Sequence, residues 1–161
     1  MSFGFHLPAG VGDRWTVLDS AMNVKADTEQ TSGAYTLIEV TAPVGFGPPR
    51  HLHRAEDEAF YVLEGRMRVA FGGQHWEARE GSFVYLPRGV EHAFVVLEPL
   101  VALQLTTPAG FERFVAELGA PADAGPSPRF SLAEVTAICA RHGMEVVGPP
   151  LEAPDPHGTT P

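Results

Sequence analysis

Three histidines and one glutamate carry most of what this sequence says about chemistry. In the stretch Gly45-Phe-Gly-Pro-Pro-Arg-His51-Leu-His53-Arg-Ala-Glu-Asp-Glu58, His51 and His53 stand two residues apart. Side chains alternate across a β-strand, so this spacing puts both imidazoles on one face, able to share a metal ion. Glu58 follows a four-residue connection and opens the next strand-like run, where its carboxylate can supply a further ligand. A second stretch, Gly81-Ser-Phe-Val-Tyr-Leu-Pro87-Arg-Gly89-Val-Glu-His92, delivers another imidazole at the start of a strand. Three imidazoles and one carboxylate form a borderline-soft N/O donor set suited to one divalent transition metal ion, whether Fe, Ni, Mn, Co, Cu or Zn, and affinity order alone does not choose among them. His6, His75, His142 and His157 have no comparable spacing and read as exposed side chains. In the acidic run Glu56-Asp57-Glu58 only the last member is in register with the histidines, and the other two read as a solvated face.

The elements that hold these groups are short strands. Trp15 to Leu18 reads as a first strand and Asp27 to Gly33 as a polar loop. From Tyr35 onward β-branched and alternating runs recur: 35–41, 58–63, 66–71, 74–78, 82–86, 92–97 and 100–106, separated by Glu64-Gly65, Gly72-Gly73, Glu80-Gly81 and Pro87-Arg-Gly89. Short strands about every 8–12 residues with turn signals between them predict an all-β antiparallel sandwich or barrel. After Pro108 the period becomes helical. Phe111, Phe114, Val115 and Leu118 fall on one face of a helix stopped by Gly119, and Ser131-Leu-Ala-Glu134 has the form of a capping box ahead of Leu132, Val135, Ile138 and Cys139. The chain therefore divides into residues 1–34, N-terminal strands and a loop packing on the barrel; 35–107, the barrel core; 108–147, a C-terminal helical segment; and 148–161, a proline-rich tail expected to lack structure.

Composition bounds the partners. The 161 residues include 17 Gly and 15 Pro, which excludes long helical bundles, and a net charge of −9 argues against nucleic acid or an anionic membrane surface. No apolar run approaches the roughly 20 residues of a membrane span. The single cysteine, Cys139, cannot form an internal disulfide, and the opening Met-Ser-Phe-Gly-Phe-His lacks the pattern of a signal peptide, so a cytoplasmic location is expected.

The two stretches resemble the paired motifs of the cupin superfamily, G-x5-H-x-H-x4-E-x6-G and G-x5-P-x-G-x2-H-x3-N. Gly45, His51, His53, Glu58 and Gly65, then Gly81, Pro87, Gly89 and His92, match every position except the last, where Val96 stands in place of Asn. The resemblance implies a small jelly-roll barrel with one metal held by His51, His53, Glu58 and His92, and a homodimer. The segment from Thr107 to Pro121 further resembles small actinobacterial monocupins similar to quercetin dioxygenase. This implies a dioxygenase acting on an aromatic, flavonol-like molecule that is deprotonated, coordinates the metal and reacts with O2, with Glu58 as ligand and proton acceptor. The alternatives are a non-redox metal cupin, such as an isomerase or polyketide cyclase, and a non-catalytic cupin that binds a small ligand. Strand parity places Phe60 and Val62 on the face of Glu58, and Phe94 and Val96 on that of His92, as walls of an apolar pocket, with Gln104 facing either the pocket or solvent.

Overall fold

The computed structural model of the chain describes residues 4–153. Ten strands and two helices follow in the order β1 (Asp13–Val17), β2 (Ser20–Ala26), β3 (Thr36–Ala42), β4 (Pro49–His53), β5 (Asp57–Phe71), β6 (Gln74–Arg79), β7 (Phe83–Leu86), β8 (His92–Thr107), α1 (Phe111–Leu118), β9 (Ala120–Pro121), α2 (Leu132–Arg141) and β10 (Met144–Pro150). The strands form one antiparallel sheet in the order β10-β4-β8-β3-β2-β1-β9, with β5 joining β8 and carrying β6 and β7. The all-β architecture with two short C-terminal helices is the jelly-roll barrel that the sequence predicts.

Alternation does the sorting. Ile38, Val40 and Ala42 of β3 and Met22, Val24 and Ala26 of β2 point into the core, while Asn23 and Lys25 take the outer face. In β8 the inward series runs Leu100, Ala102, Gln104, Thr106, so Gln104 faces inward and is buried. The 3.6-residue period of α1 likewise buries Phe111, Phe114, Val115 and Leu118. The capping box of α2 forms as the sequence predicts, and Val135, Ile138 and Cys139 are buried, whereas Leu132, in the first turn, is exposed. The helices are clamped together where Glu117 of α1 accepts from Arg141 and pairs with His142.

The structure differs from the sequence reading in two places. Glu64-Gly65 is not a connection: β5 runs unbroken for 15 residues and β8 for 16, paired along most of their length. Gly65 sits at φ 83° inside β5, where register shifts between Val62 and Met67 mark a bulge. The bulge resets parity, so Phe60 and Val62 face inward before it and Met67 and Val69 after it. Secondly, the segment 108–147 is not wholly helical and the tail does not begin at residue 148, because Met144–Pro150 is a strand paired antiparallel with β4. Its prolines are tolerated because β10 lies at the end of the sheet, with register shifts on either side of Gly148. Residues 154–161 of the expected tail lie outside the described residues.

Candidate metal centre

Three strands converge on one point. His51 and His53 project from β4, Glu58 is the second residue of β5, and His92 is the first of β8. His51 lies directly opposite His92 in the β4–β8 pairing, and Glu58 lies opposite Thr106 in the β5–β8 pairing. All four are buried, and one ligand atom from each lies within 4.8 Å of all the others.

Each imidazole is oriented through its Nδ1. That of His51 is 2.7 Å from the Pro49 carbonyl, that of His92 is 3.1 Å from the Val90 carbonyl, and that of His53 is 3.2 Å from Oε2 of Glu56. With Nδ1–H donating to these oxygens, the Nε2 lone pairs face the common centre. The Nε2 atoms of His53 and His92 are buried without a hydrogen-bond partner. An orphaned buried acceptor costs about 1–3 kcal/mol, and a shared cation satisfies both at once. Oε2 of Glu58 is 3.2 Å from Nε2 of His92 and 4.0 Å from that of His53, while its Oε1 accepts from Nε2 of Gln104 at 2.6 Å. Donor chemistry, burial and orphaned nitrogens together fit a divalent transition metal.

The site's electrostatics favour the ligating forms at two of the four positions. Burial, reinforced by His92, lowers the His51 pKa to about 4, which keeps it neutral at pH 7. Burial alone would raise the Glu58 carboxyl, but the adjacent His92 and the fields of the other imidazoles outweigh it and hold the pKa down at about 2. His53 moves the other way: burial lowers it, but Glu56 and Glu58 overcome that and raise it. Protons therefore compete with a metal for His53 more strongly than for His51. Metal binding is expected to weaken as pH falls, measured by calorimetric titration at a series of pH values; full metal retention at pH 5 contradicts this. The lowered His51 pKa also makes the unfolded chain take up more protons than the folded one between pH 6.5 and about 4, so this group's contribution to stability is lost as pH falls through that window.

A cavity opens on the cluster, with about 80 Å³ open to the centres of water molecules. His51, Glu58 and Gln104 are its polar lining, and the remaining wall is apolar, including Met22, Val40, Phe46, Phe94, Phe111 and Phe114. Of the pocket residues read from parity, Phe94 and Gln104 line this cavity. Phe60, Val62 and Val96 are buried in the core behind it, with the Phe60 ring edge-on to Phe94 at 5.4 Å. Val96, where the motif has Asn, acts through its backbone: its N–H donates to the Phe46 carbonyl and its own carbonyl accepts from Gly45. Two contributions escaped the sequence reading. Glu56 reads in the sequence as part of a solvated face, yet it orients His53, and only its place three residues after that histidine hints at this. The helical roof from Phe111, Phe114, Leu118, Val135 and Cys139 carried a clear core signal but nothing to say that the core it joined was hollow.

Residues 38–105 match the cupin domain family model, and that stretch contains all four residues of the cluster. The chain is 28% identical over 116 residues to quercetin 2,3-dioxygenase of Bacillus subtilis, an alignment covering 71% of this chain and 34% of that protein. It spans between 34% and 46% of the length of the curated relatives it matches. Among solved structures, an RmlC-like cupin from Shewanella frigidimarina superposes with a TM-score of 0.59 at 17% identity, covering 70% of this chain and 99% of that one. KdgF from a Halomonas species superposes with a TM-score of 0.55 at 22% identity, covering 62% and 89%. Both show the shared fold.

Proposed function

We propose that the chain is a metal-dependent dioxygenase acting on an aromatic, polyphenolic small molecule of flavonol type, with O2 as co-substrate. The observation that carries this reading is the division of the cavity wall: its polar side chains, His51, Glu58 and Gln104, belong to or adjoin the histidine cluster, and aromatic and aliphatic groups form the rest. Such a space suits a flat apolar body with an oxygen function at one end. Among the described lining residues there is no Lys or Arg, which disfavours phosphate-bearing substrates. The similarity to quercetin 2,3-dioxygenase points the same way. A divalent metal held by His51, His53, Glu58 and His92 would polarise a substrate oxygen and engage O2. Glu58, ionised at neutral pH and facing the cavity, is the group positioned to accept a proton from a substrate hydroxyl. Phe46, Phe94, Phe111 and Phe114 bound the aromatic body, and Leu118 of α1 with Val135 and Cys139 of α2 complete the apolar wall. The test is oxygen uptake with a flavonol panel after reconstitution with each candidate metal. O2 consumption with release of carbon monoxide, lost in Glu58→Gln, is expected; no uptake with any metal overturns the dioxygenase reading.

A homodimer is part of the same proposal. Tyr61, Phe83 and Tyr85 are exposed on the outer face of the β5–β7 pair, with Tyr61 directly opposite Phe83. An apolar face of this kind suits a second copy of the chain. Sedimentation velocity at micromolar concentration is expected to give a dimer that Phe83→Glu dissociates, and a wild-type monomer refutes it.

A further inference from the structure

Gln104 is an amide in an apolar wall. It occupies an inward position of β8 between Ile38 of β3 and Phe60 of β5, in line with Leu100 and Ala102, where a leucine would satisfy packing. It is only 5% exposed, and Glu58, whose carboxylate it meets, is 3% exposed. Its Nε2 donates to Oε1 of Glu58 at 2.6 Å, a charge-assisted bond between two buried side chains. The other oxygen, Oε2, is the one that approaches the imidazole nitrogens. A carboxylate has four lone-pair sites and turns freely about its last bond, so an unanchored Glu58 has several ways to present itself.

We propose that Gln104 is a positioning residue for Glu58: by engaging Oε1 it turns Oε2 alone toward the histidine cluster and so fixes how the carboxylate is offered to a metal. This rests on the metal reading given above and adds to it a residue outside both motifs. The anchor reaches across the β5–β8 pairing, where Gln104 lies opposite Phe60, two residues beyond Glu58, so a single bond ties the ligand to the neighbouring strand. Partners that orient a ligand in this way typically change metal affinity by about 10–100-fold when removed.

The experiment is a Co2+ titration of the chelator-treated chain, following the visible absorption of the bound ion and competition with a chelator, in wild type, Gln104→Leu, Gln104→Met and His92→Ala. Circular dichroism of each metal-free variant reports folding. Wild type is expected to bind one Co2+ and His92→Ala to lose it, which establishes the metal reading whatever Gln104 does. Gln104→Leu and Gln104→Met are expected to fold, to bind Co2+ at least about tenfold more weakly, and to give an altered absorption spectrum as the carboxylate changes its mode of binding. A wild-type spectrum and affinity in either folded variant overturns the proposal. Failure of both variants to fold marks the residue as structural and overturns it equally, and a wild-type chain that binds no Co2+ removes both this proposal and the metal reading.

Discussion

Replacement of His92 by alanine is expected to abolish stoichiometric binding of a divalent metal while leaving the barrel folded. Nε2 of His92 is buried, has no hydrogen-bond partner and lies 3.2 Å from Oε2 of Glu58, so the side chain contributes to the cluster more than to the fold. Truncation removes an orphaned buried acceptor, whose relief offsets part of the cost of the space left behind. The loss of affinity should exceed the roughly 10–100-fold that follows loss of an outer-shell partner, because a donor atom itself is gone. Elemental analysis of protein purified without chelators, paired with a melting curve, measures both halves of the prediction. Full metal content in a folded His92→Ala chain excludes the cluster as the binding site. Glu58→Gln should keep the shape of the site and its bond with Gln104 in altered form, yet weaken the metal through loss of the charge.

The second large effect belongs to the backbone. Gly65→Ala is expected to destabilise the fold by at least about 2 kcal/mol, combining the roughly 1–2 kcal/mol of a left-handed conformation for a residue with Cβ and a steric clash. Gly65 has φ 83°, and a Cβ built there would stand 2.1 Å from the carbonyl oxygen of Pro99 on β8. Both strands are long and stay paired on either side of this point, so neither can withdraw without disturbing the pairing that aligns Glu58 with Thr106. For a domain near 150 residues this corresponds to a fall of roughly 4–8 °C in Tm. Gly73→Ala is the control: its φ is 82° but nothing lies within 4 Å of the added Cβ, so it should lose only the conformational part. Equal melting temperatures for Gly65→Ala and wild type would falsify the role given to the bulge.

The histidine cluster was legible in the sequence because metal chemistry constrains residue type and spacing together: His51, His53, Glu58 and His92 are the residues the fold gathers. The helices α1 and α2 were legible from period and capping, whose signals are local. Gly65 misled because glycine serves both turns and bulges, and which it serves depends on a partner strand more than thirty residues away, the carbonyl of Pro99. Gln104 reads either way in the sequence because parity needs a reference, and only the continuity of β8 through Glu98 and Pro99 carries the one supplied by His92 as far as residue 104. β10 went unseen because Gly-Pro-Pro reads as a terminator unless a neighbouring strand is known to leave that edge free. Glu56 shows the same limit: its acceptor role exists only once the turn folds it back on His53.

The pairing of β10 with β4 has a temporal consequence. Met144 lies opposite His53 and Val146 opposite His51, so the strand bearing two histidines of the cluster is flanked by a segment synthesised about ninety residues later. During translation, β4 emerges with an open edge and stays so until nearly the whole described chain has left the ribosome. The matched stretch 38–105 therefore lacks the strand that covers this edge of β4, and the edge is closed only by residues that lie beyond it.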